Sequence, residues 1–136
     1  MLEEISGKYY GERYQFNCAE AMLKAVDEAY GLDLDHHHIK TMALFGGGMG
    51  KESVCGALTG GLAALGVLFI KNKARDSENG KEIAAAFYEG FINELSSDNC
   101  RQLKSIYRDD EKKCDQVVRK AARVLEQVIH QYQQKE

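Results

Sequence analysis

The sequence predicts an all-α fold: a single helical domain over residues 1–136, built as a bundle of about five or six helices around a buried, glycine-rich central helix. Three observations carry this expectation. There is no proline, so every backbone N–H beyond the first residue is available for a helix. Apolar residues recur at three- and four-residue spacing, and the β-branched and aromatic residues do not alternate as strands require. The run from Val54 to Ile70 carries no charge and is broken up by glycines, the composition of a helix covered on all sides.

Leu2 to Arg13 reads as a weak helix, interrupted by Gly7 and Gly11, with Tyr9, Tyr10 and Tyr14 packing at the domain edge. Asn17 is an N-cap, because its side-chain oxygen can accept from the first free N–H groups. The helix it opens carries Ala19, Met22, Leu23, Val26 and Tyr30 on one face, and Gly31 stops it. Cys18 is its first residue and lies on that face. Asp35 caps a short helix with Ile39, Met42, Ala43 and Phe45 on its apolar side. His36, His37 and His38 point about 100° apart on a helix, so the three cannot face one metal ion. They read as a solvated helix start, with at most one left as a ligand.

The Val54–Ile70 run is just at the lower limit for a membrane span, and Gly56 and Gly60 form a GxxxG. Four glycines and the amphipathic helices around it favour a central helix instead. Cys55 stands at its start, in line with Leu58, Leu62, Leu65 and Phe69. A polar connection, residues 71–80, leads to a helix with Ile83, Phe87, Phe91 and Leu95 four residues apart. Asp98 or Asn99 caps a short helix with Cys100, Leu103 and Tyr107 on one face. Asp109 and Asp110 are expected to open the last helix, where carboxylates oppose the positive end of the dipole. Cys114 begins its stripe of Val117, Ala121, Val124, Leu125, Val128 and Tyr132, and the terminal QQKE is expected to fray.

A net charge of −3 and the absence of a concentrated basic face argue against nucleic acid as a partner. The N-terminus is acidic and aromatic, with no apolar signal region, which suggests a cytoplasmic, reducing setting. Four cysteines in such a compartment point to metal binding or redox chemistry, although buried cysteines also serve as small apolar residues.

All four cysteines fall at or near the first turn of an expected helix, each on the apolar face. A helix N-terminus offers unpaired N–H groups and positive partial charge, which stabilise a thiolate and lower its pKa. Cys18, Cys55, Cys100 and Cys114 are therefore the candidate metal ligands, and Cys55 is the candidate reactive thiolate. Gly46, Gly47, Gly48, Gly50 and Gly56 are the candidate cofactor-binding positions, because backbone amides without a Cβ can approach an anion or a sulfide. Other readings of the glycine cluster fail. A phosphate loop needs serine or threonine after Gly50-Lys51, where Glu52 stands, and the dinucleotide fingerprint breaks at Ser53. No CxxC pair supports a zinc ribbon.

Cys18, followed by a glycine-rich run into Cys55, Gly56, Ala57 and Gly60, and then Cys100 and Cys114, resembles the C_GCAxxG_C_C family of putative redox-active proteins. Val54 stands where the family name has glycine, and Gly56 follows the cysteine instead. The resemblance runs from about Asn17 to Ile129 and implies a small helical protein with a redox or metal role, similar to domains of anaerobic electron transfer.

Three functions remain in competition. The first is electron transfer through an iron–sulfur cluster or other metal ion held by the four cysteines, with a redox partner protein and no membrane span. The second is thiol–disulfide chemistry with Cys55 attacking and a second cysteine resolving, Cys100 and Cys114 being the pair with the shortest loop. The third is a non-catalytic helical interaction module whose cysteines only pack. Glu52 is the one acidic residue near Cys55 worth testing for acid–base work. Whether the protein is an enzyme, and its oligomeric state (a homodimer included), stay open.

Overall fold

The computed structural model describes residues 1–134. Seven α-helices are present among them: α1 (Leu2–Tyr10), α2 (Cys18–Tyr30), α3 (His36–Lys40), α4 (Gly56–Phe69), α5 (Gly80–Leu95), α6 (Cys100–Tyr107) and α7 (Asp115–Gln133). The expectation of five or six helices is corrected to seven. The short α3 and α6 both persist because a side chain closes their first turn: Asp35 accepts the His38 N–H at 3.1 Å, and Asn99 accepts the Gln102 N–H at 3.0 Å. Apart from two isolated bridges, Val54–Asn99 and Asp109–Lys113, the described residues contain no β-structure.

The start of α2 is fixed twice. Asn17 accepts the Glu20 N–H at 2.8 Å, and the Glu20 carboxylate accepts the Asn17 N–H at 3.0 Å, a reciprocal cap. Gly31 ends the helix in the left-handed region, at φ +63°. In α1, Tyr9 packs beside Tyr14 and Phe16 with ring centroids 4.8 and 6.0 Å away, which is the expected aromatic edge. Tyr10 turns elsewhere, as described below.

α2 lies along α4, α1 along α2 and α7, and α5 along α4 and α7. Ile83, Phe87, Phe91 and Leu95 of α5 are all buried, with the two phenylalanine rings edge-on 6.2 Å apart. Gly61 of α4 receives the Phe87 ring, and Gly60 lets α4 rest on the α2 backbone at Ala19. The idea of an α4 covered on all sides needs correction. Gly56 to Leu58, Gly60, Gly61, Ala64 and Leu65 are buried, but Leu62, Ala63 and Gly66 are only partly so and Val67 is 47% exposed. α2, α5 and α7 cover the first half of α4 and one flank of the second, leaving the other flank uncovered. No described helix is long and apolar enough to cross a membrane.

The last helix also starts later than expected. Asp109 does not cap it. Its carboxylate accepts the N–H groups of Glu111 and Lys112 at 2.9 and 2.6 Å, and its backbone pairs with Lys113, which is left-handed at φ +57°. Aspartate bonds to nearby backbone donors in turns as readily as at caps, and here the turn wins. α7 therefore begins at Asp115, with Cys114 in the N-cap position. The far end of the QQKE tail, residues 135 and 136, lies outside the described residues.

Candidate four-cysteine site

Each cysteine marks a helix start. Cys18 and Cys100 are the first residues of α2 and α6, and Cys55 and Cys114 are the N-cap residues of α4 and α7. All four are free thiols and all four line a single cleft of about 1040 Å³. Cys55 and Cys100 are buried, at 5% and 7% exposure, whereas Cys18 and Cys114 are half-buried.

Backbone pairing fixes two of them side by side. The Cys55 N–H donates to the Asp98 carbonyl at 2.8 Å, and the Cys100 N–H donates to the Ser53 carbonyl at 2.5 Å, on either side of the Val54–Asn99 bridge. Two stretches far apart in sequence are thus clamped by main-chain hydrogen bonds that rely on no side chain. Glu52 reinforces the clamp from outside through ion pairs with Lys104 at 3.2 Å and Arg101 at 3.4 Å. That role suits an anchor more than an acid–base group, and it is not among the residues lining the cleft.

The glycine cluster makes room for sulfur. A Cβ on Gly56 would stand 2.4 Å from the Cys18 Sγ, so this residue brings the Cys18 thiol against the start of α4, beside Cys55. A Cβ on Gly48 would stand 2.8 Å from the Cβ of Cys100. A Cβ on Gly46 would strike the Asn17 side chain, whose Nδ2 donates to the Ala43 carbonyl at 2.8 Å. Gly47, Gly48, Met49 and Gly50 follow one another in the left-handed region, at φ +64°, +61°, +62° and +71°. Such a run is costly for any residue but glycine, and Met49 bears that cost alone within it. Of the candidate cofactor-binding glycines, Gly47 and Gly56 line the cleft; Gly46, Gly48 and Gly50 shape the turn behind it. His36, His37 and His38 are exposed and lie outside the cleft.

Tyr10, which sequence reasoning did not single out, completes the site. Its hydroxyl accepts the Cys114 N–H at 3.0 Å. Burial pushes its own pKa up to about 12. Only its place among three tyrosines of one segment hinted at a role, and which of them turns inward depends on the docking of α1 on α7.

The electrostatics differ from expectation. Burial pushes the Cys55 thiol up to about 12, with neighbouring Cys18 adding to the shift, although the N–H groups of Ala57 and Leu58 oppose it. Burial also raises Cys100 and Cys114, against the pull of Lys104 on both and of Arg108 on Cys114. Helix starts do favour the thiolate, but withdrawal from water outweighs them at these three positions. A thiol whose pKa is raised by folding stabilises the fold below its ordinary value near 9 and loses that contribution as pH climbs towards the folded value. Reduced, metal-free protein is therefore expected to hold its urea midpoint up to about pH 9 and lose it steadily towards pH 12. Cys55→Ala should flatten that decline, and an unchanged slope in this variant would contradict the assignment.

The family model described as Putative redox-active protein (C_GCAxxG_C_C) matches residues 16–128, a span that holds all four cysteines. The chain belongs to the C_GCAxxG_C_C family. No curated protein and no solved structure matches it. In this chain the cysteines of the motif are thus helix starts, with Gly56 and Gly60 placed where the Cys18 sulfur and the Ala19 backbone press against α4.

Proposed function

We propose that this C_GCAxxG_C_C protein is an electron carrier whose four cysteines hold an iron–sulfur cluster. The observation that carries the reading is that four helices each deliver one free thiol to a single cleft. Four thiolates are the ligand set of such clusters, which exchange single electrons when bound. As they stand, no three His, Cys, Asp or Glu side chains among the described residues are grouped to hold one metal ion.

Cys18, Cys55, Cys100 and Cys114 would be the ligands. The chain's own contribution is to bring them together, exclude water from Cys55 and Cys100, and offset thiolate charge with Lys104 and Arg108. A bound cation reverses the effect of burial on a thiol, because a coordinating cysteine is deprotonated outright. The Tyr10 hydroxyl and the backbone at Gly47 and Gly56 are placed to tune the group from outside its ligands.

A second reading, thiol–disulfide exchange, draws on the half-buried Cys18 and Cys114 in an open cleft. Cys55 suits it poorly as the attacking group, since a thiol with a pKa of about 12 is almost wholly protonated at neutral pH.

Anaerobic purification with iron, sulfide and zinc analysis and an absorption spectrum tests the proposal. The expected product is coloured and contains iron and sulfide. Cys55→Ser and Cys114→Ser should each lower the iron content by about tenfold or more, with the helical circular-dichroism spectrum retained. Colourless protein without iron, sulfide or zinc would remove the cluster reading. Oxidant-induced pairing of cysteines in that material, mapped by alkylation, would install the second.

A further inference from the structure

We propose that the cysteine cleft also binds a small oxoanion, a carboxylate or an inorganic oxoanion, on the guanidinium of Arg119. Arg119 projects from α7 into the cleft beside Cys114 and Tyr10. Its Nε donates to the Asp115 carboxylate at 2.9 Å, which pins the group and fixes its plane. Nη1 and Nη2 donate to no partner among the described residues, so the outer edge of the fork is free. That edge is the geometry that grips an oxoanion with two parallel hydrogen bonds. Glu4 is the acid whose charge reaches Arg119 from α1, but its carboxylate is tied to the N-terminal amine at 3.2 Å.

The opposite wall of the seat is Gly7. A Cβ there would stand 2.3 Å from both the Cζ and Nη2 of Arg119. The guanidinium therefore lies flat on the α1 backbone in a notch that only glycine leaves. Gly7 is an ordinary helical position, and glycine weakens a helix interior relative to alanine. The notch has a cost to the helix, and the placement of Arg119 is what it secures.

The surrounding charge supports the same ligand. Arg108, Lys112 and Lys113 line the cleft without a carboxylate partner among the described residues. Of the four acids that line it, Asp115 is engaged by Arg119 and Glu20 by the Asn17 cap, leaving Glu12 and Glu111. Free cations therefore outnumber free carboxylates around the four thiols. If the cleft is the redox site, as the preceding reading holds, the anion bound there is a substrate or effector of that chemistry. The binding itself does not depend on the cluster.

The test is equilibrium dialysis of the full-length, anaerobically purified protein against radiolabelled inorganic phosphate and, separately, radiolabelled succinate. One equivalent of at least one probe is expected to bind, and which of them does distinguishes an inorganic oxoanion from a carboxylate. Arg119→Gln should weaken binding by about tenfold or more. Gly7→Ala should weaken it to a similar degree while the melting temperature holds or rises, an outcome that damage to the fold would not produce. Lys71→Gln, at the far end of α4, should leave it unchanged. Wild-type protein that binds neither probe, or binding that survives both Arg119→Gln and Gly7→Ala, would overturn the inference. Iron and sulfide measured on the same samples judge the cluster separately: iron-loaded protein that binds no anion refutes only this inference, and iron-free protein that binds refutes only the other.

Discussion

Gly60→Ala is expected to destabilise the protein by about 3 kcal/mol and to lower its melting temperature by roughly 10 °C. The added Cβ would meet Ala19 at three backbone atoms: the carbonyl oxygen at 2.3 Å, Cα at 2.7 Å and the carbonyl carbon at 2.9 Å. A flexible side chain could swing aside from such a contact, but the α2 backbone cannot. α2 would have to lift off α4, opening gaps along an interface that includes Ala19, Met22 and Leu58, all nearly or fully buried. Gly66→Ala, in the same helix, is the control. Nothing lies within 4 Å of its added Cβ, so better helix propensity should stabilise the protein by about 0.5–1 kcal/mol. Urea unfolding of the two variants decides the matter, and equal effects of the same sign would show that α2 does not press on Gly60.

Gly48→Ala is expected to cost about as much and, unlike Gly60→Ala, to disturb the cysteines first. Two penalties coincide at this residue. Its φ of +61° is strained for any side chain, at about 1 kcal/mol. The new Cβ would also stand 2.4 Å from the Ser53 nitrogen and 2.8 Å from the Cys100 Cβ. Relief means withdrawing the Ser53 segment from α6, which breaks the pairing that holds Cys55 beside Cys100. On the cluster proposal, loss of bound iron should therefore exceed what the drop in stability explains. Gly50→Ala separates the two penalties. Its φ is also positive, at +71°, but its Cβ meets nothing, so only the strain of about 1 kcal/mol should appear, with iron content unchanged. If Gly50→Ala and Gly48→Ala behave alike, the contact with Cys100 has no functional weight.

Much of the frame was legible because local chemistry decides it. Asn17, Asp35 and Asn99 each accept from the third residue of the helix they open, and such caps act over one turn. The four-residue rhythm of Ile83, Phe87, Phe91 and Leu95 admits one buried face, which the structure bears out. The same local signals placed Cys18, Cys55 and Cys100 at helix starts and Cys114 near one, with the last helix opened too early. Where two local outcomes compete on equal terms, the reading slipped. Asp109 could cap a helix or close a turn, and only the pairing with Lys113 settles which. The glycine cluster announced conformational freedom, but not that Met49 would be carried into the left-handed region along with it. Thiol acidity was misjudged because it depends on depth, and depth comes from the packing of distant helices around Cys55 and Cys100. Tyr10 and Arg119 belong to the same class: their significance arises from α1 lying against α7, across nearly the whole length of the chain.

Four cysteines at four helix starts also mean that the site has no local precursor. No fragment shorter than the span from Cys18 to Cys114 contains the complete set, and Tyr10 extends the requirement to the first helix. During synthesis, a chain leaving the ribosome would expose Cys18 and Cys55 well before Cys100 and Cys114, which follow each other closely just ahead of α7. A group held by all four thiols would therefore require the starts of α2, α4, α6 and α7 to have come together first.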